Sequence, residues 1–206
     1  MTVLVKICGV TRAEDAEAAV DAGADFIGLN FWPRSRRVVA VDAAIDIAAA
    51  IPGDVKKVGV FVNAPSTTVL EIAARVGLDL VQLHGDEDAA YARALGRPYI
   101  RAVRCGSESD LRAIEDFDTE LVLLDTPSAG YGGSGKTFDW SLARAARRYG
   151  RKLLLAGGLD EHNVAQAVRD VRPFAVDVAG GVESAPGVKD KGKLRRFIDA
   201  AKGKSS

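Results

Sequence analysis

The chain of 206 residues contains few residues that bind metals or form crosslinks: two cysteines, two histidines and one methionine. Cys8 and Cys105 are far apart in the sequence and show no metal-ligand spacing. Two cysteines in a chain of this length do not form a disulfide framework. We therefore expect neither a disulfide-stabilised protein nor a metal site.

The sequence also lacks a charge bias and long apolar runs. Its 28 Lys and Arg residues balance 28 Asp and Glu residues, so nothing favours a nucleic acid partner. No apolar run approaches the roughly 18 residues of a membrane span, and no signal-peptide pattern opens the chain. We expect a cytoplasmic protein without a membrane partner.

What is present is a globular composition with a regular alternation of strand and helix patterns. Hydrophobic residues make up 48% of the chain and charged residues 27%, which fits one domain spanning residues 1–206. Short apolar runs predict strands at residues 3–9, 25–31, 57–62, 80–84, 99–105, 120–126, 152–156 and 174–178. Helical patterns predict helices at residues 13–22, 42–51, 66–76, 87–95, 108–116, 141–149, 161–171 and 190–201. The predicted caps of the first three helices are Thr11 with Glu14, Asp42 and Ser66.

Eight strand–helix units predict parallel pairing through right-handed crossovers, and hence an α/β fold, a single-domain (β/α)8 TIM barrel. The chain is shorter than the ~250 residues typical of that fold, so its loops must be short. A doubly wound open sheet is the alternative. It is weakened because no G-x-G-x-x-G motif follows the first strand.

Polar residues and glycines gather at the predicted C-terminal ends of the strands, where TIM barrels carry their active sites. These residues are Cys8, Asn30, Asn63, His84, Arg104, Asp125, Gly157, Gly158, Gly180 and Gly181. The clustering favours an enzyme over a purely structural barrel.

Two of these residues are candidate proton carriers. Asp125 ends the apolar run 121–124, where burial favours a protonated carboxyl that can act as a general acid. A carboxylate that caps the following turn is the alternative. Cys8 shares a strand face with Lys6, whose charge favours the thiolate, a usable base. A small buried hydrophobe is the alternative for Cys8.

Three other features suggest ligand binding. His84 can contact a substrate, or can be satisfied inside the strand end. The loop at residues 33–37 carries three arginines, which suit a carboxylate or phosphate but also suit a solvated loop. Glycine pairs follow the seventh and eighth strands, where TIM barrels commonly bind phosphate. They favour a small phosphorylated substrate, although Gly-Gly also forms plain turns.

The motifs together resemble the phosphoribosylanthranilate isomerase family over nearly the whole chain. They include K-I-C-G at residues 6–9, Q-L-H-G at 82–85, G-S-G at 133–135 and A-G-G-L at 156–159. The resemblance implies a TIM barrel that carries out a cofactor-free Amadori rearrangement of N-(5-phosphoribosyl)anthranilate in tryptophan biosynthesis. It leaves the oligomeric state open, with a homodimer as one option.

The resemblance also implies roles for individual residues. Asp125 matches the general acid, Cys8 the general base and Arg36 the residue that contacts the anthranilate end of the substrate. The residues that match other substrate-binding positions are Lys6, Gln82, His84 and Asp177. The residues expected in the phosphate loops are Gly157, Gly158, Gly180 and Gly181.

One departure from the family pattern lies after the eighth strand. Members usually read D-V-S-S-G there, whereas this chain has D-V-A-G-G at residues 177–181. Side-chain hydroxyls are absent but backbone N–H donors remain, so we expect phosphate binding to survive.

Two other functions remain as alternatives. One is the related ketimine-forming isomerase of histidine biosynthesis, which uses aspartates as both acid and base. The other is a non-catalytic barrel that binds a sugar phosphate. Cys8 opposes the first alternative, and Cys8 together with Asp125 opposes the second.

Overall fold

Eight parallel strands close into a barrel in the computed structural model, which describes residues 2–126 and 138–204. The strands are β1 (Leu4–Cys8), β2 (Phe26–Asn30), β3 (Lys56–Phe61), β4 (Leu80–Leu83), β5 (Tyr99–Arg104), β6 (Leu121–Asp125), β7 (Lys152–Leu155) and β8 (Ala175–Val178). Each strand pairs with the next, and β8 pairs with β1. The predicted TIM barrel is confirmed, and the open sheet is wrong.

Helices follow most of the strands and cover the outside of the barrel. They are α1 (Ala13–Ala22), α2 (Val41–Ala49), α3 (Ser66–Val76), α4 (Ala89–Ala94), α5 (Trp140–Ala146), α6 (Val164–Val171) and α7 (Lys191–Lys202). The helix predicted after β5 is a 3-10 helix, Glu108–Ile114. The glycine-rich loop predicted at residues 128–136 lies outside the described residues.

A small hairpin that the sequence patterns did not predict follows β8. A 3-10 turn, Gly180–Val182, leads into β9 (Glu183–Ala185), which pairs antiparallel with β10 (Val188–Lys189). Strands of two or three residues are too short to produce a recognisable alternation of apolar and polar residues. The hairpin lies between the end of β8 and the start of α7.

The barrel strands alternate their side chains between the interior and the helices, as the two-residue period of a strand requires. The side chains of the inner apolar cluster are Phe26, Val58, Leu80, Ile100, Ala102, Leu123, Leu154, Ala156 and Ala175. A larger apolar cluster includes the outward-facing residues of the strands and the buried faces of the helices. The interior is thus a packed core, which confines ligand access to the ends of the strands.

The helix caps differ from those that the sequence predicted. The Thr11 hydroxyl donates to the carbonyl of Gly187 at 2.6 Å and does not cap α1. Asp42 lies inside the first turn of α2, and Ser66 is the first residue of α3, whose N-cap is Pro65. A cap prediction from local sequence fails where a long-range partner takes the side chain or where the helix starts earlier.

None of the helices in the described ranges combines the length and the apolar character that crossing a membrane requires.

The packing of the barrel interior yields a stability prediction. Leu123 is fully buried, so Leu123→Ala should lower the free energy of unfolding by about 2–5 kcal/mol through lost burial and a residual cavity. Urea denaturation measures this change. Val38→Ala is the control, because Val38 is 44% exposed and should change stability by no more than about 0.5 kcal/mol. Equal losses in the two variants would contradict this account of the core.

Candidate active site

A cavity of about 610 Å³ opens at the C-terminal ends of the barrel strands. It brings together all but one of the residues to which the family resemblance gave a role. The predicted residues that line it are Cys8, Arg36, Gln82, His84, Asp125, Gly157, Gly158, Asp177, Gly180 and Gly181. Asn30, Trp32 and Asp160 line it as well. Residues from widely separated parts of the chain therefore share one site.

The exception is Lys6, which is not among the described residues that line the cavity. Its side chain is fully buried, and its Nζ donates to Asp177 Oδ1 at 2.7 Å. The two residues are register partners on β1 and β8. Lys6 therefore ties the first strand of the barrel to the last, and Asp177 carries both this ion pair and part of the cavity wall.

The ion pair changes the expected ionisation of Cys8. Burial raises the pKa of the Cys8 thiol; Lys6 opposes this effect, Asp177 reinforces it, and the pKa ends above its ordinary value. Burial lowers the pKa of Lys6, but Asp177 and Cys8 outweigh burial and raise it. Lys6 does favour the thiolate, as predicted, but Asp177 offsets its charge. The surroundings of Cys8 therefore favour the protonated thiol.

Gly28 makes room for this arrangement on the neighbouring strand. A Cβ atom at residue 28 would lie 2.9 Å from Cys8 Sγ and 3.1 Å from Lys6 Nζ. Both distances are shorter than ordinary van der Waals contacts. A glycine inside a strand often marks such a close approach, and here it leaves space for the thiol and the ammonium.

Asp125 ends β6 with one carboxylate oxygen bound and the other near an imidazole. Its Oδ1 accepts from the backbone N–H of Thr126 at 2.8 Å, and its Oδ2 lies 3.4 Å from Nε2 of His84. Gln82 Nε2 lies 2.8 Å from Nδ1 of His84. A donating Gln82 amide selects the tautomer with hydrogen on Nε2, which faces Asp125. Asp125 thus caps its turn and also faces the cavity.

A buried carboxylate supports the loop that follows His84. Glu87 accepts from the backbone N–H groups of Asn63 and Gly85 at 2.7 and 2.9 Å, and from Arg101 Nη1 at 3.0 Å. The side chain of Glu87 is almost fully buried. The loop after β4 is therefore held by an ion pair beneath it, which fixes the position of His84.

Two polar residues predicted at strand ends lie away from the cavity. Asn63 Nδ2 donates to Asp86 at 3.4 Å, and Arg104 Nη2 donates to the same carboxylate at 2.6 Å. Neither residue is among those that line the cavity in the described part of the chain. They belong to the loop structure beside the mouth of the barrel.

The two glycine pairs bring the loops after β7 and β8 close together. Gly157 and Gly158 have φ angles of 89° and 65°, which side-chain-bearing residues rarely adopt. A Cβ at Gly181 would lie 2.0 Å from the carbonyl oxygen of Leu159. Asn163 Nδ2 donates to the carbonyl of Gly158 at 2.9 Å. Backbone conformation therefore requires glycine at 157 and 158, and the contact between the two loops requires it at 181.

The three arginines of the loop after β2 have different surroundings. Arg34 and Arg36 are exposed and line the cavity. Arg37 instead donates through Nε and Nη2 to the two oxygens of Glu183, each at 2.7 Å. Sequence reasoning missed this pair. The Pro186-Gly187 turn between two short segments was the available signal for the hairpin that carries Glu183.

A closed barrel whose C-terminal mouth combines a thiol, an imidazole and carboxylates around one cavity defines a TIM-barrel enzyme of the acid–base type. Residues 5–200 match the model of the family described as N-(5'phosphoribosyl)anthranilate (PRA) isomerase. The chain belongs to this family.

Individual relatives agree over almost the full length of the chain. The N-(5'-phosphoribosyl)anthranilate isomerase of Thermotoga neapolitana is 47% identical over 203 residues, which cover 98% of this chain and 99% of that protein. The crystal structure of the Thermotoga maritima isomerase has a TM-score of 0.91 at 46% identity, with 98% and 99% coverage. Another crystal structure, of the isomerase in complex with reduced 1-(o-carboxyphenylamino)-1-deoxyribulose 5-phosphate, has a TM-score of 0.89 at 42% identity and the same coverage.

The surroundings of Cys8 predict the pH dependence of its reactivity. Alkylation by iodoacetamide, followed at Cys8 by mass spectrometry, should show a midpoint above the pH of about 8.5 expected for an unperturbed cysteine. Burial penalises the thiolate, so the native thiol keeps its proton where an unfolded one has lost it. The same reaction in urea is the control and should return the ordinary midpoint. A native midpoint below the unfolded one would refute this description.

Proposed function

We propose that this chain catalyses the Amadori rearrangement of N-(5'-phosphoribosyl)anthranilate to 1-(2-carboxyphenylamino)-1-deoxyribulose 5-phosphate, a step of L-tryptophan biosynthesis. The observation that carries the proposal is that Cys8 and Asp125 line one cavity in a chain of the isomerase family. Cys8 ends β1 and Asp125 ends β6, with β7 and β8 between them in the barrel. A substrate between the two strands would meet a thiol on one side and a carboxyl group on the other.

The first step in the proposed mechanism opens the ribose ring. Asp125 donates a proton to the ring oxygen, the bond between this oxygen and C1 breaks, and the electron pair of the anilino nitrogen forms a C1–N double bond. The product is a protonated Schiff base, the ring oxygen becomes a hydroxyl with the proton from Asp125, and Asp125 becomes a carboxylate. His84 faces Asp125 Oδ2 at 3.4 Å, which suits it to orient the carboxyl group for this transfer.

The second step moves the double bond. The Cys8 thiolate removes the proton from C2, the C–H electrons form a C1–C2 double bond, and the C1–N electrons return to nitrogen. The resulting enolamine becomes the ketone when its C2 hydroxyl loses a proton and C1 gains one. The pair works only if Asp125 starts protonated and Cys8 deprotonated. Because burial raises the pKa of the thiol, the bound substrate has to change the surroundings of Cys8 before this step.

The proposed substrate carries one charged group at each end, and the cavity offers a site for each. Arg36 lines one part of the cavity and would pair with the anthranilate carboxylate, in the bidentate geometry that guanidinium groups favour. The loops of the two glycine pairs would bind the phosphate through backbone N–H groups. The reduced product analogue in the related crystal structure carries both a carboxylate and a phosphate. Loss of the usual hydroxyl residues at 179 and 180 leaves the backbone donors in place.

Removal of either proton carrier should abolish most of the activity. We expect Cys8→Ala and Asp125→Asn each to lower kcat for phosphoribosylanthranilate by about 10²–10⁴-fold, because each variant removes one proton transfer. The disappearance of substrate fluorescence measures the rate. Cys105→Ala and Asp42→Asn are matched controls, since Cys105 is buried and is not among the described residues that line the cavity, and Asp42 is exposed on α2. Near-normal kcat in both site variants would rule out this mechanism.

Complementation separates the enzyme from a binding protein of the same fold. The chain should restore growth without tryptophan to an auxotroph that lacks this isomerase, and Cys8→Ala should not. A folded chain that fails to complement and shows no turnover in vitro would favour the sugar-phosphate-binding alternative.

The contact between the two glycine loops yields a prediction about substrate binding. Gly181→Ala would place Cβ 2.0 Å from the carbonyl of Leu159 and force the loops apart, so KM should rise about tenfold or more. Steady-state kinetics measure KM. Gly53→Ala is the control, because nothing lies within 4 Å of a Cβ at Gly53. An unchanged KM in Gly181→Ala would show that this loop does not bind the substrate.

A further inference from the structure

A buried lysine that the mechanism does not use lies beneath the mouth of the barrel. The side chain of Lys189, on β10, is fully buried. Its Nζ donates to the backbone carbonyls of Cys8 and Ala179 at 2.7 and 3.1 Å, and to Glu183 Oε1 at 2.9 Å. An ammonium group has three N–H donors. All three donors of Lys189 have an acceptor, and two of these acceptors are backbone carbonyls of the site.

These two carbonyls belong to different parts of the proposed catalytic machinery. Cys8 is the last residue of β1, and its side chain is the proposed base. Ala179 directly precedes Gly180, where the proposed phosphate loop begins. One ammonium therefore connects the backbone at the base to the backbone at the phosphate loop.

Both the backbone and the side-chain partner of Lys189 are held by ion pairs. The backbone N–H of Lys189 donates to Asp15 Oδ2 at 3.0 Å, and Asp15, which is buried on α1, also accepts from Arg12 Nη2 at 2.7 Å. Glu183, which accepts from the Lys189 ammonium, also accepts from Nε and Nη2 of Arg37. A buried charge whose partners are fixed in this way has little freedom to reorient. Lys189 can therefore act as a rigid connection.

We propose that Lys189 is a positioning residue, which holds the backbone of Cys8 and the loop at residues 179–181 in a fixed relation to each other. The proposal rests on the proposed function, in which Cys8 is the base and this loop binds phosphate. This role gives the short hairpin between β8 and α7 a function, because the hairpin places the Lys189 ammonium group beside the ends of β1 and β8.

Electrostatics support the same assignment. The positive charge of Lys189 lowers the pKa of Cys8, and so does that of Lys6, whereas burial and Asp177 raise it. Arg37, from the loop after β2, also interacts with the charge of the Cys8 thiolate. Lys189 is paired with Glu183, which offsets part of its charge. Removal of Lys189 removes one of the cations that face the thiol.

The test compares Lys189→Met with Lys193→Met. Lys193, on α7, donates through Nζ to the backbone carbonyl of Glu183 at 2.9 Å, so this control removes a lysine charge that contacts the same hairpin but not Cys8. In Lys189→Met we expect the alkylation midpoint of Cys8 to move to higher pH by about one unit, a tenfold smaller thiolate fraction at a given pH. We also expect a lower kcat and a higher KM. Lys193→Met should change none of these.

A conservative variant separates charge from position. Lys189→Arg keeps the positive charge but replaces a point-like ammonium with a planar fork that does not match three convergent acceptors. We expect it to restore the alkylation midpoint of Cys8 while KM stays raised. If the alkylation midpoint of Cys8 in Lys189→Arg is as high as in Lys189→Met, the electrostatic part of the assignment is wrong.

Other outcomes overturn the proposal. A folded Lys189→Met with the wild-type alkylation midpoint and kinetics would refute it, and so would equal changes in Lys189→Met and Lys193→Met. Thermal unfolding and a second neutral variant, Lys189→Gln, address folding. If both variants fail to fold, Lys189 is required for the fold as a whole, and its assignment as a positioning residue is wrong. Lack of isomerase activity in the wild-type chain would refute the proposed function, while the alkylation data would still decide the role of Lys189.

Discussion

The ion pair between Lys6 and Asp177 is the interaction on which the mouth of the barrel depends. It joins the first strand to the last, at the seam where the sheet closes, and it is buried on the side of the ammonium. Removal of one partner from a buried pair leaves an uncompensated charge and typically costs about 3–5 kcal/mol. The thiol of Cys8 lies on the same face of β1, one pleat nearer the cavity. The same two side chains therefore join the first strand to the last and influence the pKa of Cys8.

A second ion network contacts the same pair of strands. Glu183 receives both Arg37 and Lys189, and Lys189 reaches the carbonyl of Cys8. Cys8 thus interacts with two lysines, Lys6 and Lys189, and with the carboxylate of Asp177, which is paired with Lys6. The net effect is a thiol whose pKa burial raises, while nearby cations reduce the cost of ionising it. A group of this kind can serve as a base when a substrate changes its surroundings.

The repeated strand and helix patterns predicted the barrel, because eight parallel strands separated by helices can close in few other ways. The site was also largely predictable, since strand ends of a barrel converge on one cavity whatever their separation in sequence. Local details were less predictable. Thr11 resembled a helix cap but donates to Gly187, and Arg37 resembled a ligand-binding arginine but pairs with Glu183. In each case the side chain hydrogen-bonds to a partner more than a hundred residues away in the sequence.

The sequence by itself determined the fold class, the family and most of the residues that meet at the cavity, because these follow from periodicity, order and motif. Only the tertiary structure decided which charges neutralise one another. Lys6 and Asp177 are separated by 171 residues, and Arg37 and Glu183 by 146. Electrostatic energy depends on distance in space and on burial, and neither can be read from spacing along the chain. Sequence alone therefore identified Cys8 and Asp125 as candidate proton carriers, and the folded structure determined what surrounds each of them.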